Sequence, residues 1–401
     1  MNNIYAALEI GTTRTVLAIG ESENGERLKV TCRAEIPSSG IRKSQILDIT
    51  QATQSIRSVL QQIGRKQDEA GAKITVGNAF LVVSGQHIKA DSFSSLAQIE
   101  NSRVGDEEIN EVRRAAQAMT LPKDREHLDI VEQDYTLDSL GGITDPKGMS
   151  GRVLRLNTLH IHADRDRIQN ARTAADAAHL EIREPLFATT CAAEAVLEDH
   201  EKKNGALVLD LGGGSTGYAV YSDGYLVSSG VIGVGGDHVT NDIAHAFQTT
   251  NAQAEGLKTL EASAVISPDN GDPARVKVEL GENTLMDNRT ISRRALDTVV
   301  NARLMELFTA IRETLEDQDV IHRLHSGVIL TGGGARMKDI VPLAKQVLGM
   351  NVRIGRPVHV DGLDELEFSP AYAAIAGALL YAHRNYEERS IFDGLFGRIF
   401  K

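Results

Sequence analysis

The stretch "VLDLGGGSTGYAVYSDG" (208–224) sets Asp210 just ahead of Gly212, Gly213 and Gly214, with Ser215 and Thr216 behind them. Together these residue types offer one particular chemistry. Consecutive backbone N–H groups with no Cβ between them can converge on an anion such as phosphate. A nearby carboxylate can organise a cation beside that anion. The same glycines equally suit a plain tight hairpin, because glycine adopts dihedrals closed to other residues. A second copy of the pattern opens the chain. In "ALEIGTTRTVLAIG" (7–20), Leu8-Glu9-Ile10-Gly11 aligns with Leu209-Asp210-Leu211-Gly212, and Thr12, Thr13 and Arg14 follow. Two such turns, one per half, predict a duplicated architecture with one phosphate loop in each half. A third turn, Gly332-Gly333-Gly334, lies in "SGVILTGGGARMKDIVPLAKQVLG" (326–349).

Turns of this kind need strands to feed them and helices to back them. Apolar recurrence at three and four residues predicts helices over 48–67, 166–180, 185–199 and 292–317. The third turn reads as a buried strand, the glycines, then a helix with Ile340, Leu343 and Val347 on one face. That order would put a helix N-terminus, with its unpaired N–H groups, at the loop. Strands alternating with helices make this an α/β protein. Residues 84–162 differ: strands at 127–138 and 153–163 flank a helix at 105–119 that is acidic at its start, as the helix dipole favours. They read as a small α+β module inserted into the first half. Segment 267–290 is turn-rich, with one hairpin.

Composition narrows the function classes. The 401 residues are too many for a single core, and a formal net charge of -12 argues against a general nucleic-acid binder. Cys32 and Cys191 are the only cysteines and have no metal-ligand spacing, which fits a reducing compartment. The N-terminus reads as a first strand and not as a signal peptide. The longest nearly apolar run, 371–382, is too short to span a bilayer. The cytoplasm is the expected compartment. At the other end, Ile391, Phe392, Leu395, Phe396, Ile399 and Phe400 fall on one face of a helix. With Arg398 and Lys401 nearby, this predicts a helix lying on an anionic membrane surface.

With the three turns in this order, the chain resembles the FtsA family of bacterial cell-division proteins, within the actin-like ATPase superfamily. The resemblance rests on "SSGIRKSQILDI" (38–49), "SGQHIKA" (84–90), "EQDYTLD…GGITDPKGMSG" (132–151) and "VGGDHVTNDIA" (234–244). It continues through "ISRRALDTVVNAR" (291–303), "GRPVHVDGL" (355–363) and "SPAYAAIAGALLYA" (369–382). It implies a two-lobed actin-like fold with an inserted small α+β subdomain (1C) and a C-terminal amphipathic helix. The implied divisions are subdomain 1A at 1–83, interrupted by 1C at 84–162 and continued at 163–200. Subdomain 2A follows at 201–245, 2B at 246–320 and 2A again at 321–360. The chain then returns to 1A at 361–389 and ends in the membrane-targeting helix at 390–401.

The resemblance also implies a site that holds ATP with Mg²⁺. Gly11, Thr12, Thr13 and Arg14 match the first phosphate loop, and Gly212, Gly213, Gly214, Ser215 and Thr216 match the second. Asp210, and Glu9 through water, would manage the metal. Gly332, Gly333 and Gly334 match the adenosine motif, Glu255 and Lys258 the pair near ribose and base, and Gly235 and Gly236 the same cleft. Glu184 stands where related ATPases place a residue that orients water. Two positions depart from the superfamily pattern: Glu9 replaces an aspartate, and Gly217 replaces the acid that closes the second loop. Binding with slow or absent hydrolysis is the expectation. The implied role is a protein that polymerises on the cytoplasmic side of the cell membrane at the division site. There it would hold FtsZ by its C-terminal peptide near Arg293, Arg294 and Arg303, together with later division proteins and no nucleic acid. A phosphotransferase of the superfamily and a pilus-assembly adaptor of related fold are the alternatives.

Overall fold

In the computed structural model of the chain, the described residues are 2–23, 27–71, 76–266, 275–278, 289–363 and 369–396. Strands Asn2–Ile10, Arg14–Glu23 and Lys29–Pro37 form an antiparallel meander, and Asn78–Val83 and Glu181–Phe187 extend it in parallel. Leu8, Leu17, Ile19 and Leu81 are fully buried, as expected of strands covered on both faces. Helices Ile49–Glu69 and Arg165–Ala177 pack on this sheet, each N-capped by an aspartate, Asp48 or Asp164. Helices Ala188–Val196 and Ala373–Phe396 also pack on it, and against each other.

The second lobe repeats the plan. Tyr225–Ile232, Thr216–Ser222 and Ala206–Leu211 are antiparallel, and Gly327–Thr331 and Val352–Ile354 continue in parallel. Its core forms against helices Gly236–Phe247, Arg293–Asp317 and Ile340–Leu348. The duplication extends to register: Glu9 faces Val16 in the first lobe, and Asp210 faces Gly217 in the second.

The inserted unit is a four-stranded antiparallel sheet, ordered Lys89–Gln98, Val153–Asp164, Arg125–Leu137, Leu140–Ile143, with helix Asp106–Gln117 on it. It has a separate small core that includes Val112, Tyr135, Leu154 and Leu156. Gln133 Nε2 donates to the Leu226 carbonyl at 2.8 Å, tying the unit to the second lobe.

Three expectations change. The helix expected over 185–199 is instead the end of strand Glu181–Phe187, then Ala188–Val196, then the short helix Asp199–Asn204. Pro185 is tolerated there because the strand lies at the sheet edge. After the third glycine turn comes a 3-10 turn, Gly333–Arg336, and the helix starts only at Ile340, behind Asp339 in a left-handed conformation (φ 59°). Its N-terminus is therefore not at the loop. Finally, helix Ala373–Phe396 runs unbroken across residue 390, the expected start of a separate terminal helix. The 275–278 and 289–292 strands pair as the expected hairpin, whose turn lies outside the described residues. Among the described residues no helix is long and apolar enough to cross a membrane.

Candidate nucleotide-binding cleft

The two acid-plus-glycine turns have the same geometry. The Gly11 N–H donates to the Arg14 carbonyl, and the Gly212 N–H to the Ser215 carbonyl, each at 3.0 Å. They meet between the lobes. A Cβ on Gly213 would lie 2.6 Å from Thr13 Cγ2, and one on Gly214 would lie 2.6 Å from Thr12 Oγ1. The threonines of one lobe thus rest on the bare backbone of the other, a contact that only glycine permits. Around this contact is a cavity of about 80 Å³ lined by Glu9, Thr189, Asp210, Gly217 and Gly333 among others. Thr13, Arg14, Gly212, Gly213 and Gly333 also line a second cavity of about 250 Å³. Glu255 and Lys258 stand on one side of that cavity, with Leu304, Leu307 and Met337 also in its wall. The first is small; the second sets apolar side chains such as Leu304, Leu307 and Met337 against charged ones such as Glu255 and Lys258, a mixed lining suited to a small polar molecule with an apolar part.

The carboxylates set the electrostatics. Glu9 Oε2 is shut off from solvent without a hydrogen-bond partner. Burial raises the Glu9 pKa, against the pull of Arg14. Burial, with the Glu9 charge adding to it, pushes Asp210 up to about 7. Arg14 does not neutralise the pair. Its guanidinium is bonded to Glu35 at 3.1 Å and to the Ala371 carbonyl, and lies 4.7 Å over the Tyr372 ring. Two acids facing one small cavity, one with an orphaned oxygen, make a place where a divalent cation is favourable. Among the described residues no group of three or more His, Cys, Asp or Glu side chains could cage a metal. Glu9 and Asp210 on one cavity, with Glu9 Oε2 unpartnered, fit Mg²⁺, which takes one or two carboxylates and keeps water and phosphate for the rest.

A helix N-terminus does reach the cleft, but it belongs to Gly236–Phe247. Its Gly236 and Asp237 amides donate to the carbonyls of Gly212 and Gly213 at 2.9 and 2.8 Å, bracing the second loop from behind. At the far end, Lys258 Nζ donates to Glu255 Oε2 at 2.6 Å and to Thr240 Oγ1 at 2.9 Å. Lys258 sits in a π-turn, Leu257–Glu261, a form often found at functional sites. Gly332 carries φ 81° and packs against Asp210 Oδ1, so a side chain there would displace the carboxylate. A Cβ on Gly333 would meet nothing within 4 Å, leaving open floor between the two cavities.

Other expected residues fall elsewhere. Glu184 lines neither cavity; it accepts from Tyr381 Oη at 3.1 Å, three residues short of Phe187, where the strand reaches the cleft. Arg293 and Arg303 do not make an uncompensated basic site. Arg293 is paired with Glu261, and Arg303 with Asp242 at 2.6 and 3.0 Å and with Glu306. Ile391, Phe392, Leu395 and Phe396 lie on the backbone of the last helix, while Ile399 and Phe400 are outside the described residues. Three polar residues of the cavity wall escaped sequence reasoning. Ser44 and Ser84 come from separate segments, and Ser44 donates its amide to Thr12 Oγ1 at 2.8 Å. Thr189 is the third, and no local motif marks it.

Two lobes of duplicated topology closing on paired turns define an actin-like protein. The likeness to solved structures agrees. The "PilM-PilN type IV pilus biogenesis complex" matches with a TM-score of 0.64 at 17% identity, over 94% of this chain and 97% of that one. MreB5 of Spiroplasma citri bound to ADP matches with 0.55 at 14%, over 98% of each chain. The family profile "Cell division protein FtsA" matches residues 207–377, and "SHS2 domain inserted in FTSA" matches 85–162. The cell division protein FtsA of Pseudomonas aeruginosa is 32% identical over 379 residues, 94% of this chain and 89% of that protein. That of Bacillus subtilis is 29% identical over 386 residues, 96% and 84%. The chain belongs to the FtsA family of cell-division proteins.

Proposed function

We propose that this chain binds ATP with Mg²⁺ in the cleft and, as a filament on the cytoplasmic face of the membrane, tethers FtsZ at the division site. The observation that carries the nucleotide part is the meeting of two like turns with Glu9 and Asp210 facing one cavity. Gly11 to Arg14 and Gly212 to Thr216 would surround the phosphates. Glu255 and Lys258 would meet the ribose and base over Gly332 to Gly334. Bound Mg²⁺ supplies charge neutralisation for the phosphates, and Asp210 and Glu9 would hold its water shell. Turnover is slow in this reading, because Gly217 offers no acid beside Asp210 and Glu184 is bonded to Tyr381.

The adaptor part rests on family membership and on the last helix. FtsZ's C-terminal peptide would dock at the start of helix Arg293–Asp317, where its carboxylates must displace Glu261 or Asp242 from Arg293 and Arg303. A superfamily phosphotransferase is disfavoured by family, and the pilus-protein likeness, at 17% identity, bears on fold alone. Titration with a fluorescent ATP analogue in Mg²⁺ tests the cleft. Wild type should bind, and Gly213→Val, whose side chain would collide with Thr13, should not. Equal binding by both rejects the assignment.

A further inference from the structure

Position 217 sits directly opposite Asp210 on the neighbouring strand. Residues paired in this way project from the same face of a sheet, so a side chain at 217 would stand beside the Asp210 carboxylate. Gly217 has none, and the space is not vacant. A Cβ built there would fall on the Thr189 hydroxyl, 3.0 Å from Thr189 Cβ. Thr189 is 1% exposed, at the start of helix Ala188–Val196, where the chain leaves the first lobe. Glu9, Thr189, Asp210 and Gly217 line the same small cavity. At the equivalent place in the first lobe, opposite Glu9, stands Val16 with a full side chain. The missing side chain at 217 and the hydroxyl at 189 therefore occur together beside Glu9 and Asp210.

We infer that Thr189 and Gly217 act as one coupled pair, in which the Thr189 hydroxyl takes the place of a residue-217 side chain and positions water beside Asp210. A hydroxyl can donate to and accept from that water. It cannot take up the water's proton near neutral pH, as a carboxylate could. Thr189 is a positioning residue in this account, and the pair tunes the site toward holding nucleotide over turning it over. The inference rests on the nucleotide reading for its chemistry, while its steric half concerns the nucleotide-free protein alone.

The test is a double-mutant cycle with Gly217→Asp, Thr189→Gly and both together, plus Thr189→Ser. In the nucleotide-free protein, Gly217→Asp alone should lower the melting temperature, and adding Thr189→Gly should recover most of the loss. The double exchange adds a carboxylate to the cation end. It should lower the Mg²⁺ concentration for half-maximal ATP-analogue binding on the order of tenfold, since cation affinity follows ligand charge. It should also raise phosphate release and change its pH profile from that of wild type. Thr189→Ser, which keeps the hydroxyl, should stay closer to wild type in Mg²⁺ requirement than Thr189→Gly. The inference is overturned if Gly217→Asp alone is as stable as wild type, or if Thr189→Gly fails to rescue it. It is also overturned if the double exchange changes neither the Mg²⁺ requirement nor the pH profile. The melting measurements use no ligand, so failure of nucleotide binding in wild type would count against the cleft assignment and leave the coupling result readable.

Discussion

Glu9 and Asp210 hold the same register position in the two sheets, and the Glu9 charge helps push Asp210 up to about 7. Such a raised carboxyl pKa is a cost to the folded state that grows as pH rises from the unfolded value toward 7. Asp210→Asn should therefore stabilise the nucleotide-free protein at pH 8 by about 1–3 kcal/mol. The same change should weaken Mg²⁺-dependent ATP binding roughly tenfold or more. Calorimetry and titration check the two signs, and a destabilised apo variant contradicts the account.

Acid should weaken the fold through His87. It is buried, both ring nitrogens lack a partner, and burial lowers its pKa to about 4, with Arg167 and Arg125 adding to the shift and Asp164 opposing it. The unfolded state takes up the proton near pH 6.5 and the folded state only near 4. The stability His87 contributes is thus present above 6.5 and is lost as pH falls toward 4. The drop should be about 3 kcal/mol at most, and His87→Phe should flatten the urea-midpoint profile over that window.

Gly377 lies where helix Ala373–Phe396 crosses helix Ala188–Val196. A Cβ there would strike the Cys191 carbonyl and come within 2.9 Å of Cys191 Cα. Gly377→Ala should cost about 3 kcal/mol or more by forcing the two helices apart. An unchanged denaturation midpoint would show that the crossing is loosely packed.

Arg303 holds helix Arg293–Asp317 to helix Gly236–Phe247 through its two bonds to Asp242. Arg303→Ala should cost about 1–2 kcal/mol by urea denaturation. Arg294→Glu should weaken FtsZ-peptide binding roughly tenfold in fluorescence anisotropy, without unfolding the protein. Unchanged affinity would move the docking site elsewhere.

Deleting residues 390–401 should abolish co-sedimentation with anionic liposomes and leave ATP-analogue binding intact. Equal sedimentation of the shortened chain would remove the membrane role from its last helix.

Much of this was legible because it is local. The aligned runs at Leu8 to Gly11 and Leu209 to Gly212 announce two like hairpins, and period-3.6 patterns mark the long helices within a few residues. What escaped depends on contacts far apart in sequence. Pro185 looks like the first turn of a helix until Asn78–Val83 pairs beside it. Glu35 and Tyr372, the partners of Arg14, are likewise far from it in sequence. Arg293 and Arg303 read as a basic patch because their acids, Glu261 and Asp242, lie on other elements. Thr189 carries no signal at all until Gly217 is laid against it.

The last helix begins at the cleft itself: Ala371 and Ala374 are among its wall residues, and the same rod continues to Phe396. Its 24 residues span about 36 Å without a joint. One continuous helix thus joins the wall beside the glycine turns to residue 396, with no slack segment between them. The direction in which residues 383–396 leave the body is therefore set by the same helix that lines the cleft.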